Sequence, residues 1–223
     1  MSADIIVSYD GTPNDDDAIA LASLLGRAGA TIALAYVRHA PEFDPRREEL
    51  AEHDARRRLE QGAALLGDTT VGQHVVISPS TPEGLAKLAA AERASVIVFG
   101  SDYRTAPGHA EPGTSAQNLL EGGPIAIAVA PAGLRTETDA AIRTIGVVAA
   151  ESDAGARRTA EALAARLGAT VGGSSNGAVD LTVVGSQSGS ADGRIALSGA
   201  TRSALDSARG SVLVLPTGTA ALT

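Results

Sequence analysis

Short runs of β-branched and other apolar residues alternate with longer segments rich in Ala and Leu, which is the pattern of βαβ units around a parallel sheet. Ile5-Ile6-Val7 reads as a buried strand. A polar turn, Asp10-Gly11-Thr12-Pro13-Asn14, leads into a helix from about Asp15 to Ala28 that carries Ile19, Leu21, Ala22 and Leu25 on one face and is closed by Gly29. Thr31 to Val37 is a second strand, Pro41 to Pro45 an irregular link, and Arg46 to Leu66 a long helix whose charged positions suit a solvated face. Val75-Val76-Ile77 is a third strand. Ser80-Thr81-Pro82-Glu83 opens the next helix, with Ser80 as cap and Pro82 in the first turn. Val96 to Phe99 follows as a strand, Gly113 to Glu121 as a helix, and Ile125 to Val129 as a fifth strand stopped by Pro131.

Ala132 to Ala141 has the composition of a linker, and beyond it the plan restarts in shortened form. Asp180 to Pro216 lies on Ser95 to Pro131 without a gap, with eight of thirty-seven pairs identical, among them Gly100/Gly185, Ser101/Ser186 and Gly108/Gly193. Ile145 to Val148, a helix from Ala154 to Leu167, and Gly168-Ala169-Thr170 echo the opening strand, helix and Gly29-Ala30-Thr31. The second stretch omits a long helix, a third strand and a third helix, leaving three or four strands. The fold class expected is therefore α/β: a doubly wound, Rossmann-like parallel sheet in two tandem units, 1–133 and a truncated 142–218. The last apolar strand of each unit, Ile125 to Val129 and Val212 to Leu215, would be a bare edge alone, so the two are expected to pair as an intrachain pseudo-dimer. A homodimer through the same apolar faces stays open.

Composition narrows the chemistry. The 223 residues include no Cys, which removes disulfides, thiolate metal sites and Cys nucleophiles together. Five aromatics and a net charge of −8 leave neither a stacking platform for single-stranded bases nor a surface that attracts phosphodiester backbones, so no nucleic-acid partner is expected. The opening Met1-Ser2-Ala3-Asp4 has no export-signal character and no long apolar run occurs; the expected location is cytoplasmic, with no membrane partner.

Ligands of open parallel sheets gather at the carboxyl ends of strands, where the strand order reverses and helix starts offer free N–H groups. Two segments answer that description: Ser8-Tyr9-Asp10-Gly11, and Gly100-Ser101-Asp102-Tyr103 with its loop to Gly113-Thr114-Ser115. Glycines there admit close approach, and hydroxyls and amides suit an anion. Here the residues resemble the universal stress proteins, whose adenine-nucleotide site carries Gly, two residues, Gly, nine residues, then Gly and Ser/Thr. This chain has Gly100, Ser101-Asp102, Tyr103 in place of the second Gly, nine residues from Arg104 to Pro112, and Gly113-Thr114. Ile6 to Thr12 and Gly113 to Pro131, with Pro124, also resemble the family.

By that resemblance the chain is a regulatory module holding ATP or AMP, with magnesium only alongside a nucleotide, and working through protein partners. Asp10 and Val37 would touch the adenosine part, and Gly100, Gly113, Thr114 and Ser115 the phosphates or ribose. Tyr103 is the candidate obstruction, because its Cβ opposes a positive φ and its ring takes up phosphate space. The second stretch fits worse, since Gly185 is followed by Ser188 and the counterpart of Gly113 is Ser198. The alternatives are a slow nucleotide hydrolase, with Asp10 or Asp102 as its base, and an interaction protein that has lost nucleotide binding. Asp15, Asp16 and Asp17 read as a solvated helix start that complements the helix dipole rather than as a magnesium site. Arg56-Arg57-Arg58, flanked by Glu52, Asp54 and Glu60, reads as a salt-bridged helix face. No Gly-x-Ser-x-Gly elbow accompanies Ser8, Ser101 or Ser115. The four histidines have no metal-like spacing.

Overall fold

A computed structural model describes residues 2–150, 153–172, 179–187 and 191–223; Met1 and Ser188 lie outside these. The first stretch runs β1 (Ile5–Ser8), α1 (Pro13–Gly26), β2 (Ile32–Arg38), α2 (Pro45–Leu66), β3 (Gly72–Ile77), α3 (Thr81–Glu92), β4 (Val96–Phe99), α4 (Thr114–Leu120) and β5 (Ala126–Val129). A 3-10 turn at Leu134–Thr136 precedes β6 (Thr144–Val148), α5 (Ala154–Leu167), β7 (Thr170–Gly172), β8 (Leu181–Val184), α6 (Gly199–Ser207) and β9 (Ser211–Val214). The third strand begins three residues earlier than its apolar run, because Gly72-Gln73-His74 pair with Ala33-Leu34-Ala35. Backbone pairing at the sheet edge extends into polar residues that periodicity cannot flag.

The nine strands make one sheet in the order β3-β2-β1-β4-β5-β9-β8-β6-β7. Every neighbouring pair is parallel except β5 and β9, which run antiparallel with Ile127 opposite Val214 and Val129 opposite Val212. The two edges expected to hide each other do so. Side chains alternate across the sheet into two continuous aliphatic layers. One joins Val7, Val98 and Leu213 to α1, α2 and α5 through Leu21, Leu25, Leu59 and Leu163. The other joins Ile6, Ile97 and Val214 to α3, α4 and α6 through Leu85, Leu119 and Leu205. Both layers cross the β5–β9 seam.

Loop chemistry repeats as the gapless alignment of the two stretches requires. The Ser101 hydroxyl donates to Ala130 O at 2.6 Å and accepts from Glu111 N at 3.1 Å. Ser186 donates to Leu215 O and accepts from Ala196 N at the same two distances. Gly108 N bonds Ala132 O, and Gly193 N bonds Thr217 O, each at 2.9 Å. The two loops also reach across the seam: Gly210 N donates to Gly108 O, and Ile195 N to Gly123 O. The missing α3 counterpart leaves a trace in the strands, since Gly146 and Thr182 stand where β1 and β4 place Ile6 and Ile97 under Leu85 and Ala89.

Candidate functional site

The strand order reverses between β1 and β4, so the crevice at their carboxyl ends is the place where the topology opens a site. The β1–α1 loop enters it first. Thr12 caps α1 by accepting Asp15 N, and the Asp15 carboxylate returns the favour by accepting Thr12 N at 2.9 Å and Asp10 N at 3.1 Å. That box holds Asp10 at the lip. The Asp10 carboxyl is pushed above the usual carboxylate range, first by loss of water around it and then by the Asp15 charge, while Arg58 and His39 pull it back. Asp15 is raised as well, chiefly by desolvation and against its bonds to Thr12.

The three consecutive acids are not a solvated cluster. Asp15 serves the capping box. Asp16 accepts the hydroxyl of fully buried Tyr9 at 3.0 Å, and the Tyr9 phenol is held in its protonated form well above the ordinary range by burial and then by Asp16. Asp17 is fully buried and accepts Gly133 N, Arg135 N and Arg135 Nη1 at 2.9, 2.8 and 2.8 Å. Local sequence shows only a negative helix start; the partners of Asp17 lie 116 and 118 residues away. Among the described residues no group of three or more His, Asp or Glu could hold a metal ion.

Gly100 ends β4 against the first turn of α1. A Cβ there would run into Asn14 O, and Asn14 Nδ2 donates to Ser101 O at 2.7 Å. Packing of one helix start on one strand end therefore requires this glycine without any ligand. Gly185 is also crowded near the start of α5, but by the Asp153 side-chain carboxylate rather than by backbone. Gly113 is different: no atom would meet its Cβ within 4 Å, and it opens α4 without a side-chain cap, ahead of Thr114 and Ser115. Tyr103 is 74% exposed, with the Arg104 guanidinium 4.9 Å from its ring centroid, so the ring stands at the surface rather than buried in the crevice. Asp102 accepts Arg104 N at 3.0 Å, which commits its carboxylate to its own turn.

Val37, nearly buried at the end of β2, sits beside Gly84 and Val76. Next to it Arg38 donates two hydrogen bonds to the Glu48 carboxylate, at 2.9 and 2.6 Å, and Glu48 also accepts Glu42 N at 2.7 Å. These contacts tie the β2–α2 loop to the first turn of α2. Arg38 and the Glu42 amide hold the Glu48 carboxyl at about 2, below its ordinary 4.5. A depressed carboxyl stabilises the fold above its unfolded value and loses that contribution as pH falls toward the folded value. The melting-temperature advantage of the wild type over Glu48→Gln is therefore expected to be full at pH 7 and to shrink between about pH 4.5 and 2; a difference independent of pH across that window would refute the assignment.

Arg58 corrects the reading of the basic triplet. Arg56 pairs with Glu52, and Arg57 with Asp54 at 3.3 Å. Arg58 instead turns from α2 onto the β1–α1 loop, donating to Asp10 O at 2.9 Å with its guanidinium 5.3 Å from the Tyr36 ring centroid. Its position in the helix held the signal: Ala55, Leu59 and Gly62, at spacings of four and three, form the buried face of α2, and Arg58 borders Leu59.

The family model for the universal stress protein family matches residues 1–131. No curated protein matches the chain. Among solved structures, a universal stress protein from Archaeoglobus fulgidus DSM 4304 superposes with a TM-score of 0.67 at 13% identity, covering 97% of this chain and 99% of that one. A putative universal stress protein from Pseudomonas aeruginosa UCBPP-PA14 gives 0.60 at 14% identity over 97% and 94%. At such identities the structures establish the fold, and the family match, which takes in both crevice segments, establishes kinship: this chain belongs to the universal stress protein family.

Proposed function

We propose that the protein is a regulatory module that binds an adenine nucleotide at the carboxyl ends of β1, β2 and β4 and acts through protein partners. The observation that carries this reading is the family match running unbroken through both Asp10–Thr12 and Gly100–Ser115. Asp10 and Val37 face the adenosine, and Gly113, Thr114 and Ser115 receive the phosphate or ribose, their side of the crevice being clear of neighbouring atoms at Gly113. Gly100 acts by letting α1 approach rather than by touching the ligand. Residues 142–218 form a shortened repeat that closes the β5 edge from within the chain, as a second copy would. Its own crevice takes no nucleotide, because the Asp153 carboxylate lies over Gly185 and would repel phosphate.

Isothermal titration with ATP, AMP and cyclic nucleotides tests the reading, and heat from none of them refutes it. Tyr103→Gly separates obstruction from tolerance. Because the ring stands at the surface and the Tyr103 backbone has no positive φ, glycine there is expected to change nucleotide affinity by less than about twofold. A tightening of about tenfold, some 1.4 kcal/mol, would show that the ring obstructs the phosphates after all.

A further inference from the structure

We infer that Arg58 is a ligand-binding residue of this crevice and pairs with the phosphate of a nucleoside monophosphate. The inference deepens the nucleotide reading above and rests on it. Three consecutive arginines leave α2, and two of them meet carboxylates on the same helix. The third crosses to another element. Among the described residues Arg58 makes one hydrogen bond, to Asp10 O, and no ion pair, so Nε and Nη2 have no protein partner. Its plane is steadied by the Tyr36 ring, and its stem packs at 3.7 Å from where a Cβ on Gly11 would stand. A steadied guanidinium with unused donors suits a bidentate bond to an oxyanion.

Position sets the ligand's size. Arg58 lies over Asp10 and Gly11, on the side assigned to the adenosine part, where a phosphate joined directly to the ribose is within reach of the same loop. On the opposite side Asn14 closes over Gly100, and Tyr103 replaces a glycine. Asp10, Asp15 and Asp16 line the β1–α1 turn and oppose each further negative charge. One phosphate near the sugar gains a cation; a chain of three must run on past those carboxylates.

Titration calorimetry of the wild type, Arg58→Met and Arg58→Lys with adenosine, AMP and ATP tests this. The wild type is expected to bind AMP more tightly than ATP. Arg58→Met, which keeps the stem, should weaken AMP about tenfold and adenosine less than about twofold, with Arg58→Lys between. Should the Met variant fail to fold, Arg58→Gln takes its place. Equal losses for AMP and adenosine would make Arg58 a support for the loop and overturn the inference, as would AMP binding unaffected in both variants. A wild type that prefers ATP overturns the size argument. A wild type silent to all three ligands removes the site itself, an outcome distinct from one in which nucleotides bind and Arg58 is irrelevant.

Discussion

Asp17→Ala is expected to lower the unfolding free energy by about 2–4 kcal/mol, because two main-chain amides lose their acceptor at roughly 1–3 kcal/mol each. The carboxylate is wholly enclosed and serves two backbone amides and the Arg135 guanidinium. Alanine would strand the two main-chain amides at the 3-10 turn that leads the chain from β5 toward β6, while the Arg135 side chain, 35% exposed, turns to water. Leu134 of that turn is buried in the same aliphatic layer as Leu21, Leu24 and Leu25 of α1, so the carboxylate and the apolar contact fasten one segment from two directions. Asp17→Asn keeps the shape and an accepting oxygen but not the charge, and should cost about 1–3 kcal/mol. Urea denaturation measures both. An alanine variant within about 1 kcal/mol of the wild type would mean that water replaces the carboxylate without penalty. Hydrogen exchange adds a local readout: amides of residues 133–136 should lose protection before those of β4 or β5.

Asp17 also marks where sequence reading stops. The strands and helices were legible because their signal is local: Ile5-Ile6-Val7 and Val96 to Phe99 are apolar runs of strand length, and Ser80-Thr81-Pro82 announces a helix start, whereas α1 begins at Pro13, inside the expected turn. The β5–β9 seam was legible from a conflict, two apolar edge strands that could not be left bare. What Asp15, Asp16 and Asp17 each do was not legible, because identical neighbours acquire different roles only when the fold brings up a turn, a phenol and a distant backbone. Arg58 was legible only as a border position of the buried face of α2, since Asp54 one turn before it made a surface pairing the natural expectation. The Gly-rich spacing was legible as a motif, yet it could not separate Gly100, which the fold needs for packing, from Gly113, which no neighbouring atom constrains.

That separation yields the second large effect. Gly100→Ala should destabilise the protein by about 3 kcal/mol, at the upper end of the range for overpacking, because the new methyl meets a main-chain carbonyl and no flexible side chain can move aside. To make room, α1 must withdraw from β4, which strains the bond from Asn14 Nδ2 to Ser101 O and the capping box at Thr12. For a chain of this length the loss corresponds to a melting-temperature drop of roughly 6–12 °C. Gly113→Ala supplies the contrast: its φ is −70° and its surroundings are open, so stability should fall by no more than about 1 kcal/mol, the cost of alanine at the N-cap of α4. If Gly113 faces phosphate, the same methyl should nevertheless weaken nucleotide binding. Stability lost at 100 and affinity lost at 113 would assign one glycine of the motif to the fold and the other to the ligand. Equal thermal losses at both positions would break that assignment, since they would require a packing constraint at Gly113 that the geometry does not contain.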